Sequence, residues 1–360
     1  MRGVTTADIH VHLWRDCSKN GGLDRLDDAL SAVEQTLKAA QSRKCAWLLL
    51  GDVKLKKHEW PQLALAGMLR LMRKYKRVPK YILSGNGSHD GIGKETTGET
   101  GVAPFRPYAT VISSPEIVEI DGERVACWPW QPDKVLLEEF LKDARQAGAR
   151  ILVAHAFLQG AVVGPEDYRP AEAPFSLDDF GLLGSTKKRA FDWGFFGDIH
   201  KRQRLGDPNR ARSATVWYPG SPYAQNWGER ELDKGCLYVD TEKKIVEPIT
   251  IDAPRYRVFD SELPKKASEV KGDFVRVIMT ETMARKFVPQ LEELRETARH
   301  FELVLHRETT ESDRRVNVSA AMSGKELLRA YIKATPPEEG IPLKRLGSVG
   351  YKLWKEGGLD

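Results

Sequence analysis

Short apolar runs that end in polar residues of metal-ligand type recur through the first 200 residues of this chain. In chain order their ends read "ADIH", "LLLGD", "SGNGSHD", "LVAHA" and "FFGDIH". Runs of this length are typical of buried strands, and segments with helical spacing separate them, for example residues 24–41 and 61–76. Strands that alternate with helices predict a layered α/β fold, in which functional sites lie at strand ends.

The alternation predicts an α/β (α+β) layered sandwich over residues 1–252. Residues 253–310 contain a strand-like run, a stretch with helical spacing at 284–301 and a second strand-like run, and they predict a small α+β domain. Residues 311–322 are polar and charged and predict a linker. Residues 323–360 hold two amphipathic segments, which predict a helical tail that packs on the chain itself or on a partner.

Composition narrows the class of protein. The 360 residues carry a net charge of +5, which suits an anionic partner. The four cysteines have no paired spacing, so neither a disulfide framework nor a thiolate zinc site is expected. The N-terminus lacks the apolar segment of a signal peptide, and no apolar run of about 18 residues suggests a membrane span. We therefore expect a cytoplasmic protein with no membrane partner.

The residues at the strand ends favour a metal centre. Asp8 and His10 are two positions apart, so on an extended strand their side chains point the same way; the same holds for Asp198 and His200. The full set of candidate ligands is Asp8, His10, Asp52, Asn86, His155, Asp198 and His200. Carboxylate, imidazole and amide donors favour manganese, iron or zinc. Seven ligands suit two ions that share a bridging group, roughly 3.5–4 Å apart, as in phosphoester hydrolysis.

Basic residues follow the last of these motifs. Lys201, Arg202 and Arg204 lie directly after His200 and suit contacts with a phosphate backbone. A solvated basic loop is the alternative interpretation, because clusters of this kind are common on protein surfaces.

The ordered motifs resemble those of the calcineurin-like metallophosphoesterases over about residues 1–240. More narrowly, "ADIHVHLW", "GDIHKRQ" and "WYPGSPYAQNWGERELDKGCLYVD" are similar to the SbcD-type DNA repair nuclease subunit. The chain length and "LLRAYIKATPP" look closest to the nuclease subunit of tailed-phage recombination endonucleases. The resemblance implies a calcineurin-like core and a hydrolase: a two-metal DNA exo- and endonuclease within an ATP-dependent double-strand-break repair or recombination complex.

The resemblance also assigns roles to single residues. It implies one ion at Asp8, His10 and His200, a second ion at Asn86, His155 and Asp198, and Asp52 bridging the two. His89 would be the catalytic histidine that binds no metal, orienting the phosphate and protonating the leaving oxygen. The implied ions are Mn²⁺, with Mg²⁺ as the alternative.

The resemblance extends to partners. It makes residues 253–310 a DNA-binding capping domain and the tail the segment that binds a coiled-coil, SMC-like ATPase subunit of the SbcC type. Nuclease subunits of this kind dimerise, so a homodimer is expected. If the chain is encoded by a phage, its compartment is the cytoplasm of the bacterial host.

Two departures from the family pattern leave other functions open. Asp198 stands where the family has histidine, and Gly87 and Ser88 separate Asn86 from His89, which are adjacent in the family. One alternative is a catalytically weakened scaffold that binds DNA and the ATPase. The other is a small-molecule phosphodiesterase of the same superfamily.

Overall fold

The computed structural model describes residues 1–91, 100–164, 173–184, 189–206, 213–230, 232–260, 262–306, 324–334 and 343–356. The helices of these residues are α1 (Leu23–Arg43), α2 (Gln62–Lys74), α3 (Lys134–Gln146), α4 (Glu281–Lys286), α5 (Val288–Thr297), α6 (Gly324–Ala334) and α7 (Leu343–Glu356). The strands are β1 (Arg2–Thr6), β2 (Ala46–Leu50), β3 (Lys80–Leu83), β4 (Thr110–Ile112), β5 (Glu116–Ile120), β6 (Glu123–Trp128), β7 (Ile151–His155), β8 (Trp193–Gly197), β9 (Gln203–Leu205), β10 (Thr215–Tyr218), β11 (Gly235–Asp240), β12 (Ile245–Thr250), β13 (Tyr256–Asp260), β14 (Phe274–Thr280) and β15 (His300–His306).

The chain divides into two compact units. The first comprises Met1–Val277 and Pro289–Leu303, and the second comprises Ile278–Val288 and Val304–Asp360. The predicted domain boundaries stay predictions, and the predicted linker at 311–322 lies outside the described residues.

Two mixed six-stranded sheets form the centre of the first unit. Their strand orders are β12-β11-β1-β2-β3-β4 and β5-β6-β7-β8-β10-β9, and a third sheet has the order β13-β14-β15. Apolar side chains of the two large sheets, such as Leu48 of β2 and Val153 of β7, belong to one buried core. The predicted α/β class is confirmed, and the two large sheets that share one core are compatible with the predicted layered sandwich.

The unbroken apolar run of β2 reflects burial on both faces. Trp47 and Leu49 pack in the core that contains α1 and α2, whereas Leu48 and Leu50 face the core shared with the second sheet. Helix α3 covers the outer face of the second sheet in the same way. A strand buried on both faces needs no polar alternation, which is why the sequence shows none there.

The strand directions place several strand ends together. β1, β2 and β3 are parallel neighbours in the first sheet, and β6, β7 and β8 are parallel neighbours in the second. The carboxyl ends of parallel strands meet at one edge of their sheet. The polar residues that follow these strands are therefore brought to one edge in each sheet.

The helix predicted at 284–301 is wrong as a single element. α4 ends at Lys286, α5 begins at Val288, and residues from His300 onward belong to β15. Pro289 accounts for the break, because it has no N–H to donate to the carbonyl of Arg285, four residues earlier, and its ring crowds that carbonyl.

In the second unit, α6 and α7 pack against each other. Leu328 of α6 lies against Gly350 of α7, where a Cβ atom would come within 3.1 Å of a leucine methyl. Tyr331 and Val349 remain about half exposed, at 48% and 50%. These helices confirm that the tail is helical, and they leave apolar side chains at the surface.

The cysteines and the helices bear on the expected redox state and on the expected absence of a membrane span. The four cysteines are unpaired, and Cys45, Cys127 and Cys236 are buried among apolar residues. None of the helices in the described part of the chain combines the length and the apolar character needed to cross a membrane.

Candidate metal centre

Polar side chains from both sheets of the first unit converge on one largely buried cluster. Asp8 and His10 follow β1, Asp52 follows β2, His89 lies in the turn after β3, His155 is the last residue of β7, and Asp198 and His200 follow β8. Three sets have their ligand atoms within 4.8 Å of one another: Asp8, His10 and His200; His10, Asp52 and His89; and Asp8, Asp52 and His155. These clusters could hold a metal ion. The strand ends predicted from sequence do meet.

The backbone at four of these residues is left-handed. Asp8, His10, Asp52 and Asp198 have φ angles of 53°, 37°, 51° and 97°. Such angles are uncommon for residues other than glycine, and they persist where the surrounding structure over-determines them. The alternation predicted for Asp-x-His is therefore wrong, because both residues lie beyond the extended strand. A sharp turn brings their side chains to one place.

Glycines allow the strand ends to approach closely. A Cβ atom at Gly51 would collide with the imidazole of His155, and one at Gly85 would collide with Asp52. A Cβ atom at Gly197 would collide with the backbone carbonyl of Leu50. The Gly-Asp and Gly-Asn pairs of the sequence thus have a steric cause.

All four histidines of the cluster are held through Nδ1. The contacts join His10 Nδ1 to Lys54 O (3.3 Å), His89 Nδ1 to Leu55 O (2.5 Å), His155 Nδ1 to Leu50 O (2.7 Å) and His200 Nδ1 to Glu229 Oε1 (2.8 Å). Carbonyl and carboxylate oxygens can only accept, so each Nδ1 carries the proton. In the neutral ring the other nitrogen, Nε2, keeps a free lone pair, as metal-binding imidazoles require.

The Nε2 atoms face groups that do not satisfy them. His10 Nε2 and His200 Nε2 are 3.3 Å apart, so in the neutral rings two lone pairs oppose each other. His155 Nε2 is buried and has no hydrogen-bond partner among the residues that the structure describes. Buried polar atoms are rarely left unpaired, and a cation would satisfy all three nitrogens. The donor set fits divalent metal ions.

Asp52 lies at the centre of the cluster. Its Oδ1 is 3.4 Å from His155 Nε2, and its Oδ2 is 3.7 Å from the Nε2 atoms of both His10 and His89. The backbone N–H of Asn86 donates to Oδ1 at 2.7 Å. Each carboxylate oxygen therefore faces a different set of imidazoles, which is the arrangement a bridging ligand needs.

The cluster concentrates charge in a buried place. Burial favours the neutral acid at Asp52, but the nearby imidazoles outweigh burial and hold the pKa of Asp52 well below its usual range. Burial opposes charge on His155, yet Asp52 and Asp198 raise the pKa of this imidazole well above its usual value. At Asp8, burial raises the pKa to about 7. A bound cation would neutralise these carboxylates in place of the protons on His155 and Asp8.

Two predicted ligands of the second ion, Asp198 and Asn86, differ in the hydrogen bonds that their side-chain oxygens make. Asp198 Oδ1 is 3.5 Å from His155 Nε2, and the backbone N–H of Asp198 donates to Asp8. The amide oxygen of Asn86 instead accepts from both the backbone N–H and the hydroxyl of Ser88, each at 2.9 Å. Asn86 must release at least one of these bonds to bind an ion.

The inserted pair Gly87-Ser88 does not displace His89 from the cluster. Ser88 is exposed, and a tight turn returns the chain, with the N–H of His89 donating to Asn86 O at 2.9 Å. The rings of His89 and His10 meet edge to face, with centroids 4.5 Å apart. The insertion therefore leaves His89 in the cluster, although Ser88 itself bonds to the amide oxygen of Asn86.

Asp90 is a residue of the site to which the sequence analysis gave no role. It is fully buried, and its carboxylate accepts backbone N–H groups from Gly85 (2.8 Å), Val53 (3.1 Å) and Lys54 (3.2 Å). It joins the loop after β2 to the loop after β3, so it fixes Asp52 and His89 relative to each other. Its position next to His89 in the sequence was the one signal that could have indicated a role in the site.

Glu229 was also missed. It is buried, receives the Nδ1–H of His200, and pairs with the ammonium group of Lys234. Burial would raise the pKa of Glu229, but Lys234 and His200 outweigh burial and keep this carboxyl ionised. No sequence pattern links Glu229 to a residue 29 positions away.

The variant Glu229→Gln is expected to weaken Mn²⁺ binding about 10- to 100-fold, because the amide still accepts from His200 but no longer supports its basicity. Isothermal titration of metal-stripped protein with Mn²⁺ measures this Kd. Glu247→Gln is the matched control, since Glu247 pairs with Arg43 on the surface. Equal Kd values for the two variants would show that Glu229 does not support metal binding.

The predicted DNA-contacting residues lie in different surroundings. Arg202 pairs with Asp233, and its side chain is only 6% exposed. Lys201 is half-buried, whereas Arg204 is exposed on β9. Their contact with DNA stays a prediction.

No protein-family model matches this chain, and no curated protein matches it.

Proposed function

We propose that this chain is a two-metal phosphodiesterase that cuts DNA, acting as the nuclease subunit of an ATP-driven repair or recombination complex. The observation that carries the proposal is the position of Asp52, whose two oxygens face the Nε2 atoms of different imidazoles. Backbone carbonyls hold the Nδ1 atoms of these rings. A single structural ion would not need a carboxylate with donors on both sides.

The chain's own residues divide into two ligand sets around Asp52. Asp8, His10 and His200 would hold one ion, and His155 and Asp198, with Asn86, would hold the other. Bound Mn²⁺ or Mg²⁺ supplies Lewis acidity to phosphoryl oxygens and lowers the pKa of water. The protein holds the imidazoles in the required tautomer and keeps these ligands largely buried.

His89 is suited to proton transfer. Its Nδ1 is fixed by Leu55 O, so its Nε2 points to the cluster, and 28% of its side chain is exposed. A protonated Nε2 can therefore reach a phosphate and give its proton to the leaving oxygen. We assign His89 this role.

The choice of DNA as substrate rests on the ordered motifs, which resemble those of the calcineurin-like nucleases named above. A scaffold without strong cleavage is the second candidate, and the hydrogen bonds between Asn86 and Ser88 favour it, because they occupy the amide oxygen that should bind the second ion.

Metal-stripped protein tests the proposal directly. We expect it to leave linear duplex DNA intact in EDTA and to cut it when Mn²⁺ is restored to about two ions per chain. DNA fragments are followed on gels, with bis(p-nitrophenyl) phosphate as a small substrate in parallel. Cleavage of the small ester alone would support a small-molecule phosphodiesterase, and DNA binding without cleavage under Mn²⁺ or Mg²⁺ would support the scaffold.

The tail supports the ATPase part of the proposal, because α6 and α7 leave Tyr331 and Val349 exposed. The double variant Tyr331→Asp/Val349→Asp is expected to lose co-purification with a co-expressed SbcC-type ATPase subunit, since a charge disrupts an apolar contact. Leu63→Asp/Val135→Asp, at exposed apolar positions on α2 and α3, is the control. Equal recovery of the ATPase with both variants would contradict docking through the tail.

A further inference from the structure

A cleft lies at the other end of the strands that carry the metal ligands. Its volume is about 690 Å³, and the residues that matter here are Arg189, Trp193, Arg204, Trp217, Lys244 and Val246. Trp193 opens β8, five residues before Asp198, which corresponds to about 16 Å of extended strand. The cleft is therefore separate from the metal centre.

The floor of the cleft is aromatic. Trp193 and Trp217 are partly buried against the core between the two large sheets, so each leaves part of its indole exposed. Trp193 is stacked on Phe195 with ring planes 10° apart, which fixes its orientation. The register of β9 and β10 sets Arg204 opposite Trp217, on the same face of the sheet. An aromatic surface and a guanidinium group thus share one wall.

The rim of the cleft is positive. Arg204 and Lys244 make no ion pair with any residue that the structure describes. The acid of the lining, Asp192, is neutralised by two guanidinium groups, because Arg150 and Arg189 both bond to its carboxylate. The accessible charge that remains is cationic.

We propose that this cleft binds a nucleotide, with the base against Trp193 and Trp217 and the phosphate at Arg204 and Lys244. An inorganic anion would need no aromatic floor, and an apolar ligand would need no cationic rim. Base stacking on aromatic side chains beside cations is how proteins bind unpaired nucleotides, and the volume lies within the usual range for small ligands. The nucleotide is either free or one unit of a single strand. The inference does not depend on the metal centre.

The test uses the full chain in EDTA, so that no cleavage occurs. Calorimetry with deoxyadenosine monophosphate probes a free nucleotide, anisotropy of a fluorescein-labelled single strand of thymidines probes a strand, and calorimetry with inorganic phosphate probes the anion alone. We expect at least one nucleotide probe to bind more tightly than phosphate. Trp217→Leu should raise its Kd at least about fivefold through lost stacking. Arg204→Gln/Lys244→Gln should raise it and lower the salt dependence of strand binding.

Controls distinguish a variant that loses nucleotide binding from one that fails to fold. The double variant changes surface charges rather than the apolar floor, and Lys38→Ala, on the exposed side of α1, should leave every Kd unchanged. Binding of the mononucleotide identifies a free ligand, and binding of the strand alone identifies a strand. Phosphate binding as tight as nucleotide binding, or nucleotide binding that neither variant weakens, overturns the proposal. His155→Ala should abolish DNA cleavage without changing binding in the cleft, so the two proposals fail separately.

Discussion

Asp52→Asn is expected to reduce DNA cleavage at least about 10³-fold, because metal catalysis contributes several kcal/mol and each 1.36 kcal/mol is a factor of ten in rate. The amide keeps one oxygen but loses the charge and the second oxygen that face opposite sets of imidazoles. The metal content of the purified variant should fall below that of the parent. Cleavage kinetics and elemental analysis measure the two effects.

The chain offers a matched control for this change. Asp121 also has a left-handed backbone, with φ of 53° against 51° at Asp52, but it lies in a surface turn and pairs with Arg2. Asn tolerates this conformation, so neither substitution should strain the backbone. Asp121→Asn should cut DNA at the parental rate. If Asp52→Asn retains two ions and cuts DNA normally, a bridging role for Asp52 is untenable.

His89→Ala is expected to lower the cleavage rate about 10²- to 10⁴-fold, which is the usual contribution of a general acid. Metal binding should persist, because the predicted ligands of both ions remain. DNA binding should persist as well, so the loss should appear in kcat rather than in KM. Single-turnover cleavage, measured beside Mn²⁺ titration, separates these quantities.

His58 supplies the comparison for His89, because it is an exposed histidine that makes no contact with the cluster. His58→Ala should leave the rate unchanged. The rate deficit of His89→Ala should be smaller with bis(p-nitrophenyl) phosphate than with DNA, because p-nitrophenolate leaves without a proton from a general acid. An equal deficit with both substrates would assign the proton transfer to another group.

The sequence was sufficient to predict that the candidate ligands lie close together, but not the backbone geometry that brings them there. Apolar runs that end in Asp or His mark strand ends, and parallel pairing then brings those ends together whatever the local detail. The left-handed turns at Asp8 and His10 could not be inferred, because they depend on the tertiary contacts that hold them. Asp8 and His10 do lie together, but a left-handed turn rather than strand alternation brings them there.

Contacts between loops account for most of what the sequence could not predict. Glu229 reaches His200 across 29 residues, and the Asn86–Ser88 turn consumes an amide oxygen that a motif counts as a free ligand. Neither contact follows the residue spacing of a helix or a strand, so neither could be predicted from the sequence pattern. The break at Phe287 is different, since Pro289 was visible in the sequence and the apolar spacing around it was given too much weight.

The left-handed backbone at the aspartates has a consequence for how this site can change over generations. Asn is the residue besides Gly that tolerates positive φ best, so a substitution from Asp to Asn keeps the turn at Asp8, Asp52 or Asp198 while it deletes a charge. The requirement for a folded chain and the requirement for the proposed metal binding are therefore separable at these positions. One substitution from Asp to Asn would remove a candidate ligand and leave the turn intact.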